Sequence, residues 1–210
     1  MGKHIELIQG SDEWKIFRLG KVSASRVSDV MSRTKSGYSA SRTNYMMQLL
    51  CERLTGKAED SFVSAAMLRG TEKEPMARAA YEAENGCLVQ EVGCFVHDDI
   101  DSLIASPDGL VMTDGLIEIK NPNTSTHIDF LRTGKPDGKY QLQMLAQMAC
   151  TGRKWCDFVS FDDRLPAQLQ YSKVRFERDD IRINEMLVEI EKFLHELNEL
   201  ESEMLSRMAA

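Results

Sequence analysis

Apolar residues recur at helical spacing in four stretches of the chain and gather in short runs between them. Tyr45, Met46, Leu49 and Leu50 lie three and four apart and predict a helix from Ser41 to about Leu54, closed by Gly56. A second helix, Thr71 to Glu84, carries Met76, Ala79, Ala80 and Tyr81 on one side and stops at Asn85-Gly86. A third, Lys139 to about Cys150, bears Leu142, Leu145 and Met148. From Arg178 onward Ile183, Leu187, Ile190, Leu194, Leu197 and Met204 form one apolar stripe on a long helix whose outer face is rich in glutamate. That stripe is expected to pack on its own domain, with a subunit or partner interface as the other reading. Two short helices precede these: one starts at Ser11-Asp12-Glu13 ahead of Trp14 and Phe17, and one follows Ser23-Ala24-Ser25 and reaches about Met31. Arg33 to Ser39, with Gly37 inside, reads as a mobile loop.

After Gly86 the texture changes to strands at Leu88–Val92, Cys94–His97, Ser102–Ala105 and Leu116–Lys120, with Thr113-Asp114-Gly115 as the turn between the last two. Asp157–Phe161 and Leu169–Phe176 return to strand character. Helices on both sides of a run of strands predict an α/β (α+β) fold with a central mixed sheet. At 210 residues the chain is expected to be one domain, residues 1–210, with a core of about 14–178 and a C-terminal helix of about 179–208.

Composition narrows the function classes. No stretch has the run of apolar residues that a membrane span needs, and the N-terminus lacks the apolar centre of a signal peptide, so a cytoplasmic protein is expected. Cys51, Cys87, Cys94, Cys150 and Cys156 form no CxxC pair, and His4, His97, His127 and His195 have no HxxxH spacing. Reduced core thiols are expected, with no zinc site of the usual ligands. The net charge of -7 hides a segregation: between Lys15 and Arg42 seven cations face one acid, Asp29. A basic segment on an acidic body suits local phosphate binding without indiscriminate coating of nucleic acid.

Candidate chemistry lies in Ser106-Pro107-Asp108-Gly109 and, ten residues after Asp108, Glu118-Ile119-Lys120. As strands of one hairpin, these segments bring Asp108 and Glu118 nearly opposite each other. Side chains alternate along a strand, so Glu118 and Lys120 share a face, Ile119 enters the core and its carbonyl stays available as an oxygen ligand. Hydrolysis of a phosphodiester with a hard cation such as Mg²⁺ needs oxygen donors of this kind. Lys120 is placed to act on the attacking water or on the developing charge. Glu74, on the preceding helix, supplies a third acid, and Gln141 and Gln143 are further polar groups expected to face the site.

The residues from Trp14 through Arg18-Leu19-Gly20, then Ser23-Ala24-Ser25, Arg69-Gly70 with Glu74, Ser106-Pro107-Asp108-Gly109, Glu118-Ile119-Lys120-Asn121-Pro122 and Tyr140-Gln141-Leu142-Gln143 resemble, in order, the PD-(D/E)xK nucleases of the phage lambda exonuclease type, the YqaJ-like viral recombinases. The resemblance spans roughly Trp14 to Arg178. It implies a restriction-endonuclease-like core and a 5′→3′ exonuclease on linear double-stranded DNA. The product would be a 3′ overhang for a single-strand annealing protein, in the cytoplasm of a bacterial or phage-infected cell. Asp108, Glu118, the Ile119 carbonyl and Glu74 would hold two Mg²⁺ ions, with Mn²⁺ as a substitute. Lys120 would serve the attacking water. Arg18, Ser25 and Ser106 fall where the family binds the terminal 5′-phosphate, Lys35 where a loop holds DNA, and Met67 or Leu68 where an apolar wedge parts the end base pairs. One departure stands out: the family's pocket arginine after the catalytic lysine falls at Thr126, leaving the neighbouring His127 to substitute or the pocket weaker. The family also implies a homotrimeric ring, with the basic segment lining its bore. The competing readings are a structure-specific or restriction-type endonuclease on the same core, and a DNA-end binding module without catalysis.

Overall fold

The computed structural model describes residues 2–58 and 65–208, with side chains in the second segment from residue 68 on. The chain runs through β1 (Lys3–Ile5), α1 (Asp12–Arg18), β2 (Val22–Ser23), a 3-10 turn at Ala24–Arg26, α2 (Val27–Met31), β3 (Arg33–Thr34), β4 (Gly37–Tyr38) and α3 (Ala40–Thr55). Next come α4 (Ala65–Asn85), β5 (Val89–Gln90), β6 (Cys94–Val96), β7 (Leu103–Ala105), β8 (Gly109–Val111) and β9 (Gly115–Lys120). The remainder is α5 (Thr124–Thr133), α6 (Gly138–Thr151), β10 (Trp155–Phe161), β11 (Tyr171–Glu177) and α7 (Asp180–Met208).

The expected mixed α/β architecture is present, but the strands divide between two main sheets. One has the order β1-β6-β7-β2 and the other β11-β10-β9-β8-β5, with β3-β4 as a separate ribbon. The expected hairpin between Ser102–Ala105 and Leu116–Lys120 is therefore corrected: β7 pairs with β6 and β2, whereas β9 turns back onto β8. The break falls at Pro107, which has no N–H to continue a ladder. Gly109 then starts the new strand, where a Cβ would meet Val89 Cγ1 at 2.2 Å.

The alternation of β9 organises both faces of the larger sheet. Ile117 and Ile119 pack with Ala77 and Tyr81 of α4, while Leu116 joins the core built with α6 and α7. The α4 face is thus Ala77 and Tyr81; Met76, expected inward, is 49% exposed. That helix also begins at Ala65 rather than Thr71 and continues through Pro75. α7 buries Ile183, Met186, Ile190, Phe193, Leu194 and Leu197 against its own chain, chiefly α2, α3 and α6. Burial of each such side chain contributes about 1.5–3 kcal/mol. The cysteines are free thiols, three of them buried. Among the described residues no helix is long and apolar enough to cross a membrane.

The stretch expected as a loop is the β3-β4 ribbon, with Arg33 opposite Tyr38. It is tied to α7 at Glu189: Arg33 Nη2 and the Tyr38 hydroxyl donate to Oε2 at 2.8 and 2.7 Å, and Lys192 Nζ donates to Oε1 at 2.9 Å. Hydrogen bonds from Lys192 and Tyr38, with Arg33 beside them, hold the Glu189 carboxyl down to about 2. A carboxyl depressed in the folded state stabilises above its unfolded pKa of about 4.3 and loses that contribution as pH falls towards 2. Wild type is therefore expected to exceed Glu189→Gln in melting temperature above pH of about 5, with the gap closing by pH of about 2. A gap independent of pH would remove the charge from the anchor.

Candidate active site

The β8-β9 ladder pairs Gly109 with Ile117, and one step outward sets Asp108 across from Glu118. Asp108 Oδ2 accepts the Ile119 N–H at 2.6 Å. Glu118 is fully buried, which an ionised carboxylate tolerates only with donors on its oxygens. It has three. Gln143 Nε2 donates to Oε1 at 2.7 Å, Gln147 Nε2 donates to Oε2 at 2.6 Å, and Lys120 Nζ pairs with Oε1. Gln143 and Gln147 lie one helical turn apart on α6, so a single helix face supplies both amides. Tyr140 belongs to the same face, its ring 5.3 Å from Lys120 Nζ.

Burial, and next the Glu118 charge, raise the Asp108 carboxyl well above the usual carboxylate range, with Lys120 opposing. For Lys120 burial acts downward, but Glu118 and Asp108 outweigh it and the ammonium is held above its ordinary value. Ionising both carboxyls at once is therefore costly, with one lysine to offset them. Glu74 lines the same cleft as Asp108 but is bonded to Arg78 Nη2 at 3.0 Å. Among the described residues no three His, Cys, Asp or Glu side chains converge into a ready-made metal cage. Gln141, expected to face the site, instead donates to the Pro136 carbonyl at 3.1 Å, because it points off the α6 face that carries Gln143. Gln147 was missed by sequence reasoning, although its i+4 spacing from Gln143 was a usable signal.

Arg18, Ser25 and Ser106 meet around a cavity of about 140 Å³ with Gln9, Trp14, Ala24 and Gln143. Ser106 Oγ accepts from Trp14 Nε1 at 3.1 Å and from Arg18 Nη1 at 3.3 Å, and the Arg18 guanidinium stacks on the Trp14 ring at 4.1 Å. Burial lowers the Arg18 pKa without discharging a guanidinium. The Arg18-Leu19-Gly20 turn is held from α3: Glu52 Oε2 accepts the Gly20 N–H at 2.9 Å, and Arg53 Nε donates to its carbonyl at 2.9 Å. Gly20 has a φ of 67°, and a Cβ there would meet Arg53 Cγ at 2.4 Å, so glycine is required.

The other expected site residues fare differently. His127 is corrected: it is fully buried on α5, with Nδ1 2.7 Å from Ser160 Oγ and Nε2 2.8 Å from the Leu169 carbonyl. With both ring nitrogens taken it does not reach the cavity or replace the family's arginine. Thr126 is exposed on α5 and is not part of the cavity wall. Lys35 lies exposed at the ribbon turn, and Leu68 is 63% exposed, next to Arg69, whose Nη2 bonds Asp162 and Asp163 at 2.9 and 2.8 Å. The Met67 side chain is outside the described residues. The basic segment is largely neutralised within the fold, since Lys15, Arg26, Arg33 and Arg42 pair with Asp12, Asp29, Glu189 and Glu196.

A model of the YqaJ-like viral recombinase domain matches residues 13–154. The chain is 55% identical to the alkaline exonuclease LHK-Exo of Laribacter hongkongensis, covering 95% of this chain and 98% of that one with a TM-score of 0.89. That exonuclease is also known in complex with dAMP, with the same figures. A phage-related exonuclease of Haemophilus somnus 129PT has a TM-score of 0.69 at 16% identity, covering 90% of this chain and 96% of that one, a likeness of fold. Comparison with curated proteins gave no significant match.

Two substitutions test this geometry. Gln147→Leu removes a donor from a buried carboxylate and is expected to cost about 1.5–3 kcal/mol in chemical denaturation, most of it recovered when Glu118→Gln is added. An additive pair of effects would mean that the two side chains do not interact. His127→Ala is expected to lower stability by about 1–3 kcal/mol by orphaning the Leu169 carbonyl and the Ser160 hydroxyl.

Proposed function

We propose that this chain, which belongs to the YqaJ-like viral recombinase family, is a metal-dependent 5′→3′ exonuclease on linear double-stranded DNA that leaves 3′ overhangs for annealing-type recombination. The observation that carries this reading is the abutment of the Arg18-Ser25-Ser106 cavity on the Asp108-Glu118 pair, with Gln143 touching both. A cationic guanidinium and hydroxyl groups suit a terminal phosphate, and the carboxylates beside it suit the scissile one. LHK-Exo, similar over nearly its whole length, is an alkaline exonuclease that takes dAMP, a hydrolysis product of DNA.

The donor set fits a hard divalent cation, Mg²⁺ with Mn²⁺ as a substitute. Asp108, Glu118 and the Ile119 carbonyl offer only oxygen, and the burial and carboxylate repulsion that raise the Asp108 carboxyl are what a divalent cation would offset. Glu74 would join them for a second ion after exchanging its bond to Arg78. When bound, such an ion neutralises charge on the phosphate and lowers the pKa of a water. The chain's own groups do the rest. Gln143 and Gln147 keep Glu118 oriented, Asp108 is fixed on the Ile119 N–H, and Lys120 serves the attacking water and the developing charge. Arg18, with Ser25 and Ser106, holds the 5′-phosphate so that the next bond lies at the carboxylates. Leu68 or Met67 parts the end base pairs, and Lys35 holds the duplex. A homotrimeric ring and an annealing-protein partner complete the proposal, on the strength of the family alone.

Digestion of linear duplex labelled at either the 5′ or the 3′ end, with and without Mg²⁺, tests activity, polarity and metal need together. Loss of the 5′ label first is expected, and covalently closed duplex is expected to survive; cutting of closed circles would favour the endonuclease reading. Asp108→Ala, and Glu118→Gln, which keeps the shape of the buried side chain, are expected to abolish cleavage with the fold retained. Lys120→Ala is expected to lower the single-turnover rate by on the order of 10² or more with little loss of DNA affinity. Preference for a 5′-phosphate over a 5′-hydroxyl end is expected to vanish in Arg18→Ala.

A further inference from the structure

Most of the described arginines lie within ion-pair distance of a carboxylate, including Arg26, Arg33 and Arg42 of the basic segment. The corner between α5 and α6 differs. Arg132, Lys135 and Lys139 are exposed there, and none has a carboxylate within ion-pair distance among the described residues. Neither acid of the corner lies within ion-pair distance of a cation among the described residues, and Asp137 Oδ1 caps α6 by accepting the Lys139 N–H at 3.0 Å. The corner is also rigidly held. His127 and Phe130 are buried beneath α5, Phe130 packs edge-on to Phe158 at 5.2 Å, and Gly134 closes the helix.

Its position follows from a chain of contacts along α6. The Arg18 cavity meets Gln143, Gln143 meets Glu118, Glu118 meets Lys120, and Lys120 lies over the Tyr140 ring. Lys139 Nζ lies 4.9 Å from the centre of that same ring. Glu118 therefore stands between the cavity and Lys139 in this chain of contacts, and Arg132, in the last turn of α5, and Lys135, just after it, extend the cationic corner. We infer that Arg132, Lys135 and Lys139 bind backbone phosphates of the DNA on the far side of the scissile bond from the 5′ terminus. This rests on the reading of the cavity as the terminal-phosphate site. Such contacts would anchor the duplex still to be digested, through phosphates alone, and so without regard to sequence.

The test is binding of a fluorescent 5′-phosphorylated duplex to the full chain in EDTA, followed by anisotropy over a range of salt. The triple variant Arg132→Ala/Lys135→Ala/Lys139→Ala is expected to reduce the slope of log K against log salt by about 3, or about 1 for each contact removed. It is also expected to weaken binding equally across unrelated sequences. Lys3→Ala/Lys57→Ala, which removes two exposed lysines elsewhere, is expected to leave the slope unchanged, and restoring Lys135→Arg alone in place of Lys135→Ala should recover about one unit. An unchanged slope in the triple variant overturns the proposal, as does an equal fall in the Lys3/Lys57 control. Position is tested with a duplex truncated to the first base pairs beyond the end, for which the triple variant should bind as wild type does. A lost slope on both lengths would keep the cations as a DNA site and overturn their downstream placement. Because no cleavage is measured, failure of the nuclease reading would appear separately, as wild-type chain that leaves end-labelled linear duplex undigested in Mg²⁺.

Discussion

A carboxylate buried from solvent must find its partners inside the fold, and Glu118 imposes that condition on everything around it. Its position on β9 requires a helix face with two amides opposite, which α6 supplies through Gln143 and Gln147. It requires a cation on the same strand face, which the two-residue period places at Lys120. The parallel pairing of β9 with β10 sets α6 over this face, because the crossover between the strands passes through α5 and α6. Ile117 and Ile119 point the other way into α4 and fix the register, since a slip by one residue would turn Glu118 into the apolar layer. The site and the core are consequently one arrangement.

Partition of charge is the second organising feature. The net charge of -7 does not describe a uniformly acidic surface, because many acids are consumed in pairs. Glu189 and Glu196 of α7 tie down Arg33 and Arg42, fastening the ribbon and α3 to the C-terminal helix. The basic stretch that suggested a phosphate-binding segment is thus mostly a set of internal struts. Among the described cations without an ion pair are Arg18 at a cavity, Lys35 at a turn and those of the α5-α6 corner. Each lies where local structure holds it without a carboxylate partner, and these places define the proposed path of DNA.

Short-range pattern and motif made most of the fold legible. Capping residues and three- and four-residue spacing located α1, α3, α6 and α7, and alternation along Glu118-Ile119-Lys120 assigned each side chain its face. Long-range pairing was not legible. Pro107 marks a break after Leu103–Ala105 but does not say which strands that segment joins instead, and the two-residue strands β3 and β4 carry too few positions for alternation to register. α5 escaped notice because its inward residues, His127 and Phe130, give a weak apolar signal among threonines and charges. The same fact misplaced His127, whose distance in sequence from the Arg18 segment concealed that it is pinned beneath α5. Glu118 was recognised from spacing, whereas Gln147 becomes visible only once α6 lies on β9.

The account stands or falls on whether Asp108, Glu118 and the Ile119 carbonyl hold a divalent cation. The most direct measurement is a crystal structure of the full chain grown with Mn²⁺, with anomalous scattering used to locate the ion. The account predicts one strong peak bounded by those three groups, absent from crystals of Asp108→Ala grown in the same way. Clear density for the residues with no peak between them, or a peak unmoved by the substitution, would contradict it.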